Sequence, residues 1–212
     1  MDDDPVVETN PSDRDGVDPP PAFAEQANVS AAEAAAFEGE WPDCWERAAA
    51  MLDWTESPDA TFATTDDRRR WFPGGRLNAA VNCVDRHLDD RKTQAAIKWI
   101  GKRGERRTYT YLDLYHEVNE FAAGLRSLGI GEGDVVTLYM PAIPELPIAM
   151  LACARIGAPH NVVFAGFSSA ALAERMERSD SAYLVTCDGY YRRGSAIHQK
   201  NKADNARLSV SH

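Results

Sequence analysis

The chain reads as an α/β protein, with a helical, loop-rich N-terminal region followed by the start of a doubly wound parallel sheet. Three observations predict this. Short apolar, β-prone runs at Val135–Tyr139, Asn161–Phe164 and Tyr183–Thr186 alternate with helical stretches from about Pro144 to Ile156 and from Ser169 to Arg178. Right-handed crossovers turn that alternation into a parallel sheet with helices on its faces. The first 90 residues instead carry helix starts and aromatic turns. With 44% apolar and 26% charged residues in 212, the chain also has the composition of a globular protein able to bury a core.

Taken in order, residues 1–22 are rich in Asp and Pro and bury too little apolar surface to offset their ordering entropy, so a disordered acidic tail is expected. A helical region over 23–90 follows. Ser30-Ala-Ala-Glu33 is a capping box, because the hydroxyl can take the N3 amide while the carboxylate reaches back. A second helix is expected from about Pro42 through Leu52, and a third from Asn78 to about Leu88, with Trp71–Gly75 between them as an aromatic turn. Over 91–212 the sheet begins. Ala95–Ile100 and Arg107–Thr110 flank Gly101-Lys-Arg-Gly104 and suggest a hairpin. Thr110 to Asp113 opens a helix whose residues Leu114, Val118, Phe121, Leu125 and Leu128 form one apolar stripe, stopped by Gly129. Beyond about residue 190 no further strand is expected, so the sheet looks unfinished.

Charge narrows the function. Lys and Arg number 23 against 33 Asp and Glu, a net charge of −10 that repels a phosphate backbone and argues against nucleic-acid binding and anionic membranes. The start, Met1-Asp-Asp-Asp-Pro5, lacks the basic-then-apolar pattern of a signal peptide, and no run reads as membrane-spanning. Four cysteines without CxxC spacing read as free thiols, and a cytoplasmic location is expected.

In open parallel sheets ligands bind outside the carboxyl ends of the strands, where helix N-termini and free amides gather. Two segments lie there. Phe164–Ser169 is a glycine-containing turn whose amides can approach a phosphate or flat ring, and Asp188–Ser195 carries Arg192 and Arg193 beside Gly194. Consecutive strands joined by one crossover usually pair, so the two segments should share a rim. Alone, each has a plainer explanation, as turn chemistry or as solvated charge. His87, His116 and His160 have no well-placed carboxylate, no metal spacing occurs, and GxSxG, GxxxxGK[ST] and HExxH are absent.

Several ordered motifs carry a family resemblance: Trp71–Asn78, Asn82–His87, Thr110–Leu114, Gly133–Val136, and Tyr139–Glu145 running through Ala149–Ala158 to Val162–Ser168. Over roughly residues 23–210 the chain resembles the AMP-forming acetyl-CoA synthetases of the adenylate-forming family. The resemblance implies a sheet of that type and an activity in which acetate, ATP and magnesium give an acetyl-adenylate that the CoA thiol then attacks. It implies that Phe164, Ala165 and Gly166 contact the CoA nucleotide and that Arg192, Arg193, Gly194 and Ser195 match a basic cluster holding its phosphate. The family often has Gly where Ala165 stands, and its second Arg would fall at Ser195, with Arg193 two places early. Its ATP phosphate loop, ribose-binding Asp and adenylation Lys would lie beyond His212. No catalytic or metal residue is therefore implied here, and this chain alone is expected to hold at most a CoA half-site. The alternative is a non-catalytic CoA-binding or interaction module, with the unfinished sheet edge as a template for association.

Overall fold

The computed structural model describes residues 19–65 and 68–211, so most of the expected acidic tail lies outside the described residues. The chain folds as two compact units, one made of residues up to Met51 with Thr61–Trp71 and one of Leu52–Ala60 with Phe72–His212.

The first unit contains α1 (Pro21–Ala24), α2 (Ala31–Gly39), α3 (Cys44–Ala49) and the antiparallel pair β1 (Phe62–Thr65) and β2 (Arg68–Trp71). The Ser30 box forms as its residue types require: the Glu33 amide donates to Ser30 Oγ at 3.2 Å and the Ser30 amide to Glu33 Oε2 at 2.8 Å. α3 is shorter than the expected 42–52 helix. The β1–β2 pair was not expected, since Arg68–Arg70 hides any apolar alternation. Its closing contact is aromatic, with Phe62 directly opposite Trp71 and ring centroids 4.8 Å apart. Trp41 and Trp45 meet the Trp71 ring edge-on at 6.1 and 6.0 Å.

The second unit holds the sheet. The single helix expected over 78–88 is instead α4 (Ala79–Cys83), a 3₁₀ turn at Asp85–His87 and α5 (Leu88–Arg91). The break falls at Val84, which leaves helical geometry at φ −128° and is fully buried. This turns Asp85 onto Arg155 in a two-point ion pair at 3.0 and 2.6 Å. β3 (Ala95–Ile100) and β4 (Arg106–Thr110) form the expected hairpin, with a bulge between Ala95 and Ile97. Thr110 and Asp113 cap α6 (Tyr111–Ser127), which ends before Gly129 at φ +85°.

β5 (Val136–Tyr139), α7 (Glu145–Arg155), β6 (His160–Val162), α8 (Ser169–Arg178) and β7 (Tyr183–Thr186) follow in the expected alternation. All three strands are parallel, in the order β6-β5-β7. β6 and β7 therefore do not pair, contrary to expectation. β5 is the strand buried along its whole length, and its two successors add to either side of it. Val136 and Leu138 face a cluster with Val118 of α6 and Ile148 of α7, whereas Tyr139 faces Leu172 and Met176 of α8 and Ala203 and Ala206 farther on. Helices thus cover both faces. Burial pushes the Cys153 thiol, within the first cluster, up to about 11.

The chain past residue 190 is not featureless. β8 (Tyr190–Arg192) and β9 (Ser195–Ile197) form an antiparallel hairpin, and α9 (Gln199–Arg207) packs on α8. Strands of three residues are too short to show a period of two. Among the described residues no helix is long and apolar enough to cross a membrane.

Candidate functional site

Because the three strands are parallel, the segments after β6 and β7 emerge at the same end of the sheet. After β6 the chain turns through residues 163–168 into α8. The Ser168 hydroxyl accepts the Ala171 amide at 3.2 Å, so it caps the helix. The turn is held from beneath. The Ala165 carbonyl accepts from the Tyr190 hydroxyl at 3.2 Å and Gln199 Nε2 at 3.4 Å. The Tyr139 hydroxyl lies 3.3 Å from it and donates to the Phe167 carbonyl at 2.7 Å. Burial raises the Tyr139 phenol above its ordinary pKa, so it remains a donor at neutral pH. Ala165 itself is 3% exposed, and what it offers the turn is its anchored carbonyl.

Above this floor Phe164 is 59% exposed, and the Arg192 guanidinium carbon sits 5.6 Å from its ring centroid. Gly166 permits that approach. A methyl there would collide with the Phe164 ring edge and come within 2.8 Å of Arg192 Nη1. Arg193 and Gly194 have φ +51° and +81°, the paired left-handed conformations of a two-residue hairpin turn, and they join Arg192 to its partner Ser195. The structure therefore brings Phe164, Ala165, Gly166 and Arg192 together. It sets Arg193, Gly194 and Ser195 at the exposed tip of the β8–β9 hairpin.

A cavity of about 780 Å³ opens at this rim, within the range of cofactor sites. Its walls include Phe164, Ala165 and Arg192, the loop Met140–Ile143 after β5, and the β3–β4 turn with Lys102 and Arg103. The hairpin is tied to its neighbours. Trp99 Nε1 donates to the Ala142 carbonyl at 2.8 Å, and Arg107 pairs with Glu145 at 2.6 and 3.3 Å. The Arg103 guanidinium lies 4.3 Å over the Tyr191 ring and bonds Glu105 at 2.9 Å. Lys102, Arg103 and Arg192 thus face one cavity with a single carboxylate, Glu105, in a chain of net charge −10. By sequence alone Lys102 and Arg103 belong to a plain hairpin turn. The only signal was two basic residues between glycines.

A family model described as acetyl-coenzyme A synthetase N-terminus matches residues 34–83, and one described as AMP-binding enzyme matches residues 84–211. The chain belongs to the AMP-binding enzyme family. The chain is 49% identical over 161 residues to the 3-hydroxypropionyl-coenzyme A synthetase of Metallosphaera sedula, covering 76% of this chain and 24% of that protein. It is 48% identical over 163 residues to the acetyl-coenzyme A synthetase of Gemmatimonas aurantiaca, covering 76% and 25%. It is 42% identical over 214 residues to the acetyl-coenzyme A synthetase of Mycobacterium bovis, covering 97% and 32%. The chain thus spans about a quarter to a third of the length of these relatives. An acetoacetyl-CoA synthetase structure from Streptomyces lividans matches with a TM-score of 0.75 at 25% identity, over 81% of this chain and 27% of that one. The sheet, with helices on both faces, accordingly has the fold of the corresponding part of that synthetase structure.

Proposed function

We propose that this chain supplies the CoA side of an AMP-forming acetyl-CoA synthetase, an enzyme that uses ATP and magnesium to activate acetate before transfer to CoA. The observation that carries this is the convergence of Phe164, Gly166 and Arg192 at the carboxyl end of the parallel strands. The residues suit the group. Gly166 leaves room for close approach, Phe164 offers an exposed ring face, and Arg192 can take a phosphate at two points. Arg193, Gly194 and Ser195 extend the positive rim as a solvent-facing tip, and Ala165 fixes the floor. Bound CoA supplies the thiol nucleophile; this chain's residues orient its nucleotide.

The organisation that goes with this reading is a tail over 1–22, an N-terminal region over 23–90 and the first part of the AMP-binding domain over 91–212, in a cytoplasmic enzyme. Among the described residues β6 and β7 pair only with β5, and their outer edges are the place for association with further strands.

Calorimetric titration of the purified chain with CoA tests the proposal, with Arg192→Ala alongside. Saturable binding is expected, weakened about tenfold or more in the variant, as for loss of a charged hydrogen bond. A folded wild-type chain with no saturable CoA binding would overturn it.

A further inference from the structure

We infer that the β3–β4 turn is a second phosphate-binding wall of this cavity, with Lys102 and Arg103 taking a phosphate group of the nucleotide that Arg192 does not hold. The inference rests on the CoA reading above and assigns to it residues from a distant part of the chain.

Four observations carry it. First, Lys102, Arg103 and Arg192 line the same cavity although some 90 residues separate the two segments. Second, the turn is positioned rather than loose. The Trp99–Ala142 hydrogen bond anchors its strand, and the Arg107–Glu145 pair fastens the neighbouring one. Third, the two basic segments touch: the Arg103 guanidinium lies on the ring of Tyr191, the residue next to Arg192. Glu105 holds that guanidinium in place through its Nε, and the Arg103 amide bonds the same carboxylate at 3.0 Å. Fourth, neither Lys102 nor Arg192 has an ion pair among the described residues. Gathering three cations at one mouth against one carboxylate is unfavourable until an anion enters. A ligand with phosphate groups at two separate positions, as CoA has, meets two separate cationic walls with one group each. The exposed ring of Phe164 lies beside those walls for its base.

The test is calorimetric titration of the whole chain with CoA, comparing wild type with Lys102→Ala, Lys102→Arg and Arg192→Ala at low salt and at about 0.5 M NaCl, where charge contacts at an open mouth are screened. Thermal melts verify that each variant is folded; Lys102 is exposed at a turn and no melting change is expected. The expected result is a loss of about fivefold or more in Lys102→Ala, recovery in Lys102→Arg, and a difference that shrinks in high salt. Wild-type affinity in Lys102→Ala, with binding lost in Arg192→Ala, would overturn this inference and leave the CoA reading standing. A Lys102→Ala loss that salt does not change would also overturn it, since the effect would then not be one of charge. Failure of the folded wild type to bind CoA would overturn the reading, and this inference with it.

Discussion

The two ends of the three-stranded sheet differ in what their polar side chains face. Where the strands begin, those groups bond one another. Asn78 accepts the Ala80 amide and donates to the last carbonyls of α7, at 3.2 Å to Ala154 and 3.1 Å to Arg155. Arg155 in turn is clamped by Asp85. The Thr137 hydroxyl donates to Ser181 Oγ at 2.8 Å, and the Ser181 hydroxyl bonds the Val135 carbonyl at 3.1 Å. Where the strands finish, Phe164, Lys102 and Arg192 face a cavity instead. One end closes the fold and the other leaves charge and ring surface free for a ligand. Changes at the first should therefore cost stability, and changes at the second should cost affinity.

The sharpest way to break this contrast is Asp85→Ala. It leaves the largely buried Arg155 guanidinium unpaired, and urea unfolding should show a loss of about 3 kcal/mol. CoA affinity of the folded fraction should not change; an affinity loss at full stability would abolish the distinction. Asn78→Ala removes the α4 cap and the partners of two α7 carbonyls together, so about 1–2 kcal/mol is expected by the same measurement. Gly166→Ala probes the other end. The atoms in its way are the far ends of two side chains, so stability should stay within about 0.5 kcal/mol. CoA affinity should nevertheless fall on the order of fivefold, about 1 kcal/mol, as Phe164 and Arg192 are pushed apart.

The smallest effect concerns pH at the closed end. Burial lowers the imidazole pKa of His160, the first residue of β6, below its ordinary 6.5. As pH falls the unfolded chain binds that proton first, so stability rises with pH across this window. The contribution is fully present above about 6.5 and is lost as pH drops toward the folded value. Melting temperatures at pH 7.5 and 5.5 should therefore differ more for wild type than for His160→Asn.

Much of this architecture was legible in the residues. α8 and β7 occupy Ser169–Arg178 and Tyr183–Thr186 as their apolar patterns require, and α6 starts at the Thr110 box. The shared rim of the Phe164 and Arg192 segments was also legible, although by a different route. It follows from parallel strands flanking β5, and not from β6 pairing with β7. The β1–β2 hairpin was hidden by Arg68–Arg70, and the β8–β9 hairpin by strands of three residues. The break at Val84 was hidden because a helical stripe through Val81, Val84 and Leu88 looks continuous until Asp85 finds Arg155.

The sequence by itself determined the alternation of strand and helix, the caps, the acidic balance and the motifs of the synthetase family. These depend on neighbours within a turn or two of the chain. Only the tertiary structure decided that β5 lies between β6 and β7, that the Ala165 carbonyl is held from Tyr190 and Gln199, and that Lys102 and Arg192 line one cavity. Periodicity encodes which face of an element is buried, but not which distant element buries it.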